Sequence, residues 1–379
     1  NSSTRISIAI LAARQARARM AKTAPLLALL AALATHRVAR AAWEPIPGHD
    51  ELDLDVHGFE RDFLSQQRPV VLRNWTAARP GLQRWTLAEL KKQCGEARVP
   101  LGSRYVSFLQ AADAATRLAI DARLREVDNR TLKELLKELR GEVTLGEYID
   151  YVERESLTPV NAKKDFSQLA DIFLPLSLQE VDIYSHCPQL YRDLIVPRYF
   201  SRARYGQFSA VLFLAPGASR AYPAHIHGES EDHALVLLEG SKHLVHWSFE
   251  EKDKLYEMEQ PVYGDTRLFL ARGVRPDFAA QPDVRRSRGA EAVLSAGDMF
   301  YLPCGSIHEV ENVGGPVLML RLNLVNPSTL DCQRKLARYG VPHRPPHDTR
   351  LRRGDGATDL SVAEYLRGDE GAHSGDDEL

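Results

Sequence analysis

Residues 297–312 read GDMFYLPCGSIHEVEN, and this stretch indicates the fold. Gly297-Asp298 makes a tight turn, and the apolar run 299–302 is a short strand. Pro303-Cys304-Gly305 then turns the chain again, which delivers His308 at the start of the next strand. The pattern predicts a turn–strand–turn unit of a β-barrel with a histidine at a strand end.

A second stretch, residues 223–231, reads PAHIHGESE. Alternate residues of a strand share one face. His225, His227 and Glu229 would therefore point the same way, while Ile226 points to the opposite face. Imidazole and carboxylate groups suit iron(II), manganese or zinc. A lone histidine on a strand is usually structural, but three potential ligands at a period of two favour a metal site.

Short strands separated by Gly, Pro or charged turns surround both stretches. Many short strands with frequent turns predict a barrel or a sandwich. The predicted strands are 207–214, 222–227, 234–239, 243–247, 292–294, 299–302, 308–311 and 317–325.

The first half of the chain has a mixed texture. Residues 68–73 are expected to form a strand, and residues 110–140 have the apolar spacing of surface helices. Thr86 with Glu89, and Thr144 with Glu147, have the spacing of capping boxes that open helices. These elements predict an α/β part before the barrel.

The motifs together resemble a known family. Residues 297–312 match the second cupin motif, G-x5-P-x-G-x2-H-x3-N, at every fixed position. The region from about 55 to 330 resembles the JmjC hydroxylases, also called cupin-like-domain proteins, and includes a similar lead-in at 68–75 and a G-x-K at 240–242. The resemblance implies a mainly β fold with α additions, a double-stranded β-helix with an N-terminal α/β extension.

The resemblance also implies a set of site residues. In such enzymes an H-x-D/E…H triad holds iron(II), and a basic residue pairs with the distal carboxylate of 2-oxoglutarate. Counting back from Gly240 implies His227, Glu229 and His308 as metal ligands, with Lys242 as the cosubstrate anchor. Asn323 falls where the family often places a polar contact to the cosubstrate. No catalytic residue beyond the metal centre is implied.

Two other alignments of the metal motif stay open. One places His225 and His227 in the H-x-D positions, an HxHG form similar to that of ER-lumenal JmjC-domain proteins whose oxygenase activity is doubtful. The other uses His225, His227, Glu231 and His308, the four-ligand set of an ordinary cupin. His227 and His308 belong to every alignment.

Two departures from the family pattern bear on activity. His233 stands where an asparagine commonly follows the acidic ligand, and Ala224 stands where Ser or Thr is common. We expect an Fe(II)- and 2-oxoglutarate-dependent oxygenase that hydroxylates a protein or peptide side chain in the secretory pathway. The alternatives are a catalytically inactive JmjC-fold scaffold of the ER lumen, or a cupin enzyme without 2-oxoglutarate.

The two ends of the chain predict where it works. Residues 20–42 have the layout of a secretory signal peptide, and the final DDEL resembles the signals read by the ER retrieval receptor. We expect a leader and signal peptide at 1–42, an α/β part at 43–200, the barrel at 201–330 and a polar tail at 331–379. The ER lumen is the predicted location, with organelle-targeted or cytoplasmic protein as the alternative.

Composition limits the partners. The 379 residues are 44% hydrophobic and 26% charged with a formal net charge of −2, which offers nucleic acid and anionic membranes no general attraction. No apolar run is long enough for a stable membrane span. Four widely separated cysteines could form disulfides in an oxidising lumen, but spacing does not assign them, and the oligomeric state stays open.

Overall fold

A computed structural model describes most of the chain. It describes residues 43–103, 141–155, 176–178, 181–200, 207–217, 220–227, 231–258, 267–325, 327–339 and 360–361. All of these except Trp43 belong to one compact unit, Glu44–Leu379. The predicted leader and signal peptide, the surface helices of 110–140, Glu229 and the C-terminal DDEL lie outside the described residues.

The described part of the chain is mainly β-structure. Its strands are β1 Glu44–Pro45, β2 Gly48–Asp50, β3 Val70–Arg73, β4 Arg98–Ser103, β5 Gly141–Thr144, β6 Leu176–Leu178, β7 Val181–Asp182, β8 Ile195–Val196, β9 Gln207–Ala215, β10 Arg220–Ile226, β11 Asp232–Trp247, β12 Arg267–Leu268, β13 Gly289–Ser295, β14 Met299–Leu302, β15 Ile307–Val325 and β16 Leu360–Ser361. Its α-helices are α1 Val56–Phe59, α2 Pro80–Gln83, α3 Leu87–Cys94, α4 Leu145–Glu155, α5 Ile183–His186 and α6 Pro327–Arg338. Short 3-10 turns occupy Glu51–Asp53, Trp75–Ala78, Pro188–Asp193, Phe249–Lys254 and Val284–Arg286, and Glu60–Leu64 is a π-helical turn.

Two long strands, β11 and β15, build the barrel. The first half of β11 pairs with β14 and with the second half of β15, which continues to β9. The second half of β11 pairs with β13 and with the first half of β15, which continues to β10. Each long strand therefore belongs to two sheets that roll over one another. This topology confirms the predicted double-stranded β-helix.

Apolar side chains fill the space between the two sheets. The interior cluster takes Leu235, Leu237 and Leu244 from β11, together with Phe300 and Leu302 from β14. Facing side chains of neighbouring strands complete it: Val71, Ala292, Leu294, Val310, Val317 and Met319. The odd-numbered residues of the first half of β11 and the even-numbered residues of its second half thus point inward, because the strand has an irregular register between the halves.

The N-terminal part covers the outer face of the β9–β15–β11–β14 sheet. Its helices pack Phe59, Trp75, Trp85 and Ile149 against the outward-facing residues of that sheet in one large cluster. Thr86 caps α3 by accepting from the Glu89 backbone N–H at 3.2 Å. The second predicted capping box forms in both directions between Thr144 and Glu147 at the start of α4.

Two disulfides join the four cysteines. Cys94 at the end of α3 is bonded to Cys187 after α5, with Cα atoms 5.5 Å apart. Cys304, in the turn before β15, is bonded to Cys332 on α6, with Cα atoms 6.2 Å apart. The pairing depends on which elements the fold brings together, and the sequence spacing did not predict it.

The structure corrects two strand predictions. Residues 234–239 and 243–247 were expected as two strands but form the single strand β11, and 308–311 and 317–325 likewise form β15. Gly240 and Gly314, both at φ +87°, let each strand continue through its irregular point. Helix α6 extends to Arg338, past the predicted start of the tail at 331. Among the described helices none is long and apolar enough to cross a bilayer.

Candidate metal site

Three histidines converge inside one end of the barrel. One ring nitrogen from each of His225, His227 and His308 lies within 4.8 Å of the others. The His225 ring lies 4.2 Å from the His308 ring and 4.9 Å from the His227 ring, measured between centroids. The rings of His227 and His308 are stacked at 5.2 Å.

Strand pairing delivers these side chains. His225 near the end of β10 is the register partner of His308 at the start of β15. His227 follows two residues later, so it shares a face with His225. His225 and His308 are buried, and His227 is half-buried at the mouth of the site. The two predicted motifs therefore meet although 81 positions separate His227 from His308.

Burial favours the neutral imidazole at His308 and at His233. Desolvation, followed by the charges of His225 and His227, lowers the pKa of His308 well below its usual value. Desolvation first, then His227 and Arg321, lower the pKa of His233 in the same direction. A neutral imidazole carries the lone pair that binds a metal ion. His308 can therefore bind a cation without first losing a proton.

Glu231 and His233 lie beside the cluster. Both are buried, their side chains approach to 3.9 Å, and both line a small cavity that His227 also lines. The His233 ring meets the His227 ring edge-on at 4.7 Å. Within the described part of the structure neither ring nitrogen of His233 has a hydrogen-bond partner. A buried polar group that lacks a hydrogen-bond partner favours a ligand in the cavity, because the ligand would supply one.

A tight turn supports His308 from behind. The backbone N–H of Cys304 donates to Asp232 Oδ1 at 2.8 Å, which holds the turn against the start of β11. The Ser306 hydroxyl lies 2.9 Å from His246 Nε2, and its carbonyl oxygen lies 3.4 Å from His308 Nδ1. Such outer contacts orient metal-binding histidines.

Deeper in the barrel lie two buried cations. Lys242 shares the inward face of β11 with Leu244 and is 3% exposed. Burial lowers the pKa of Lys242 to about 8, and no acidic neighbour among the described residues offsets it. Arg321, on the inward face of β15, places its guanidinium 5.1 Å from the ring centre of Phe213. Lys242 therefore offers a poorly hydrated positive charge to an anion that enters the barrel.

Asn323 also faces the barrel interior. It is the register partner of His233 across β11 and β15, and its side-chain oxygen is buried without a hydrogen-bond partner within the described residues. The role of Asn323 in binding the cosubstrate stays a prediction.

The structure brings some of the predicted site residues together. His227 and His308 lie in one cluster, together with His225. Glu229 lies outside the described residues, so its role as a ligand stays a prediction. The sequence pattern presented His233 only as a departure from the family and did not single out His246, Ser306 or Arg321. The inward-facing alternation of β11 and β15 was the signal that could have found His246 and Arg321, whereas Ser306 lies in the turn before β15.

The residues present fit a divalent metal. Two nitrogens bound to one ion at about 2.1 Å lie at most about 4.2 Å apart, close to the spacing of the cluster. Three imidazoles with carboxylates nearby suit iron(II) and other borderline ions.

Comparisons with known proteins agree with the fold. The family described as "Cupin-like domain" matches residues 56–325. tRNA wybutosine-synthesizing protein 5 of Danio rerio is 23% identical over 259 residues, which cover 68% of each chain. Its counterpart in Gallus gallus is 23% identical over 256 residues, covering 66% of this chain and 69% of the relative. The protein belongs to the cupin-like-domain family of JmjC type, a family of oxygenase-type enzymes.

Proposed function

We propose that the protein is an iron(II)- and 2-oxoglutarate-dependent oxygenase. The observation that supports this proposal is the cluster of His225, His227 and His308 inside the barrel. One ring nitrogen of each lies within 4.8 Å of the others. When bound, iron and 2-oxoglutarate supply the activation of oxygen that is coupled to hydroxylation of a C–H bond. The protein's own residues hold the ion, orient the cosubstrate and keep bulk water out of the barrel.

The buried lysine supports the choice of cosubstrate. Lys242 is an ammonium group on the inward face of β11, where its charge has lost most of its hydration. A carboxylate that entered the barrel would restore a charged partner. We therefore propose Lys242 as the anchor for the distal carboxylate of 2-oxoglutarate, with Asn323 as a further polar contact.

Turnover is tested by 2-oxoglutarate decarboxylation with purified protein, iron(II) and ascorbate. We expect succinate formation that His308→Ala abolishes, and cosubstrate binding that Lys242→Ala abolishes while metal binding persists. Metal binding without decarboxylation or cosubstrate binding would instead favour a scaffold or a cupin enzyme without 2-oxoglutarate.

The ligand set is tested by alanine variants and cobalt(II) titration. In the proposed triad of His227, Glu229 and His308, Glu229→Ala loses the ion and His225→Ala keeps it. In the four-ligand alternative, His225→Ala and Glu231→Ala lose the ion and Glu229→Ala keeps it. In the alternative of His225, His227 and His308, His225→Ala loses the ion, whereas Glu229→Ala and Glu231→Ala keep it. Calorimetry separates the three sets because the predicted losses fall on different residues.

The substrate we propose is a protein or peptide side chain in the ER lumen. The signal-peptide layout of residues 20–42 and the two disulfides support an oxidising compartment. Localisation of the untagged full chain against an ER marker tests this, and a cytosolic or nuclear signal would contradict it.

The names of the relatives favour a second candidate substrate, a nucleoside of tRNA. The net charge of −2 gives no general attraction for such a polyanion. Mass spectrometry of unfractionated tRNA and of a peptide library, each incubated with the loaded enzyme, decides between the substrates by where a mass increase of one oxygen appears.

A further inference from the structure

The turn that carries His308 is covalently tied to the last described helix. Cys304 lies in this turn, Pro303–Ser306, and its disulfide partner Cys332 lies on α6. The crosslink spans 28 positions, and all of β15 lies between its two ends. The disulfide therefore holds the start of β15 next to α6, the helix that follows the end of β15.

Helix α6 packs closely against this turn. Gly305 has φ +76°, and a Cβ atom there would lie 3.2 Å from Cys332 Sγ and 3.7 Å from Leu336 Cδ1. Leu336 is buried one helical turn after Cys332, so both side chains share a face. Ion pairing of Lys335 with Glu250 fixes the same helix on the barrel.

The other side of the turn faces the metal site. Pro303, Gly305 and Ser306 line the same cavity as His227. The Ser306 carbonyl oxygen lies 3.4 Å from His308 Nδ1, which leaves the opposite ring nitrogen, Nε2, for an ion. A shift of the turn away from the barrel would move both this carbonyl and the backbone of His308.

We propose that the Cys304–Cys332 disulfide positions His308 for metal binding. The crosslink prevents the glycine-containing turn from separating from α6, and the turn passes this restraint to His308 through Ser306. This inference rests on the proposed metal site but requires neither 2-oxoglutarate nor turnover. Cys304 and Cys332 are thus positioning residues of the site.

The second disulfide provides a matched control. Cys94 and Cys187 lie in the cluster on the outer face of the barrel, away from the histidines. Loss of either disulfide removes a restraint on the unfolded chain and lowers stability. Only loss of Cys304–Cys332 should change the metal site.

The experiment compares metal-free full-length protein with Cys304→Ser/Cys332→Ser and Cys94→Ser/Cys187→Ser variants. Cobalt(II) serves as the probe, and its binding is measured by calorimetry and by its visible absorption. We expect binding about tenfold or more weaker in the first variant and unchanged in the second, since loss of outer-shell support costs 10–100-fold in affinity. Hydrogen exchange of residues 303–308 in the metal-free proteins should rise only in the first variant.

Several outcomes would overturn the inference. Equal cobalt(II) affinity in wild type and the first variant excludes a positioning role for the disulfide. Equal weakening in both variants would mean that the disulfides affect cobalt(II) binding only through the general stability of the fold. If wild type binds no cobalt(II), the proposed metal site fails as well, whereas a failure of the first comparison alone leaves that site intact. Should the first variant not fold, the folded control variant is reduced with a phosphine, alkylated and titrated in its place.

Discussion

At the scale of single residues, burial lowers the pKa of both His308 and Lys242. The desolvation that leaves His308 neutral, and so able to bind a cation, also makes Lys242 lose its proton at a lower pH than usual. A neutral histidine keeps the ring lone pair that binds a metal ion. A lysine that loses its proton as the pH rises no longer attracts an anion. The two halves of the proposed site should therefore respond to pH in opposite directions.

The first prediction concerns Lys242. Its pKa of about 8 means that the ammonium loses its proton as the pH rises through that value. We expect the affinity of cobalt-loaded protein for 2-oxoglutarate to fall between pH 7 and 9, whereas Lys242→Arg retains its affinity because a guanidinium stays charged. Calorimetry across this range measures the effect. A parallel decline in the arginine variant would show that Lys242 is not the group responsible.

The second prediction concerns His246. Burial lowers its pKa from 6.5 to about 4, so below pH 6.5 the unfolded chain binds a proton that the folded protein does not. Stability is therefore lost as the pH falls from 6.5 to 4, by about 3 kcal/mol for this residue. His246→Gln should make the pH dependence of the unfolding free energy in urea shallower by this amount. The buried His233 and His308 remain in the variant and supply the residual slope.

At the scale of elements, the barrel depends on strands that change sheet without ending. β11 passes its irregular point at Gly240, whose φ of +87° favours glycine over residues that carry a Cβ. A Cβ atom there would lie 2.5 Å from the carbonyl oxygen of Pro316. The two halves of the strand therefore join only where a side chain is absent.

The third prediction compares two glycines of this region. Gly240→Ala should lose on the order of 1–3 kcal/mol of unfolding free energy, because the backbone conformation is strained and the β15 backbone is too close. Gly315→Ala should change it by less than about 1 kcal/mol, since no atom of the described residues, apart from the adjacent positions, lies within 4 Å of its Cβ position. Urea denaturation measures both. Equal losses would mean that the close approach at Gly240 is relieved by movement of β15.

At the scale of the whole molecule, a metal ion held by both β10 and β15 should stabilise the fold. Its ligands come from strands of one sheet whose separation in sequence exceeds 80 residues, so unfolding must release the ion. Binding to the folded state alone shifts the unfolding equilibrium by mass action.

The fourth prediction follows from this linkage. Cobalt(II) at 100 times its dissociation constant should add about 2.7 kcal/mol of stability and raise the Tm by several degrees. A chelator should reverse the shift. The Tm of His308→Ala should be the same with and without cobalt(II), and a response equal to that of the wild type would place the ion elsewhere.

Local features of the sequence determined the fold class and the two histidine motifs. Turn chemistry at Gly297-Asp298 and Pro303-Cys304-Gly305, and the period of two at 223–231, act over a few residues and are visible without a partner. Matching the motif of 297–312 to a family then predicted the barrel, which the structure confirms. The metal-binding role of Glu229 stays a prediction at this level.

Only the tertiary structure decided which distant groups meet. Pairing of β10 with β15 brought His225 to His308, the docking of α6 paired Cys304 with Cys332, and burial on β11 set the pKa of Lys242. The physical reason is that contact and desolvation depend on chain segments many positions apart. No local sequence pattern shows these contacts, because they form only when the two sheets close over one another.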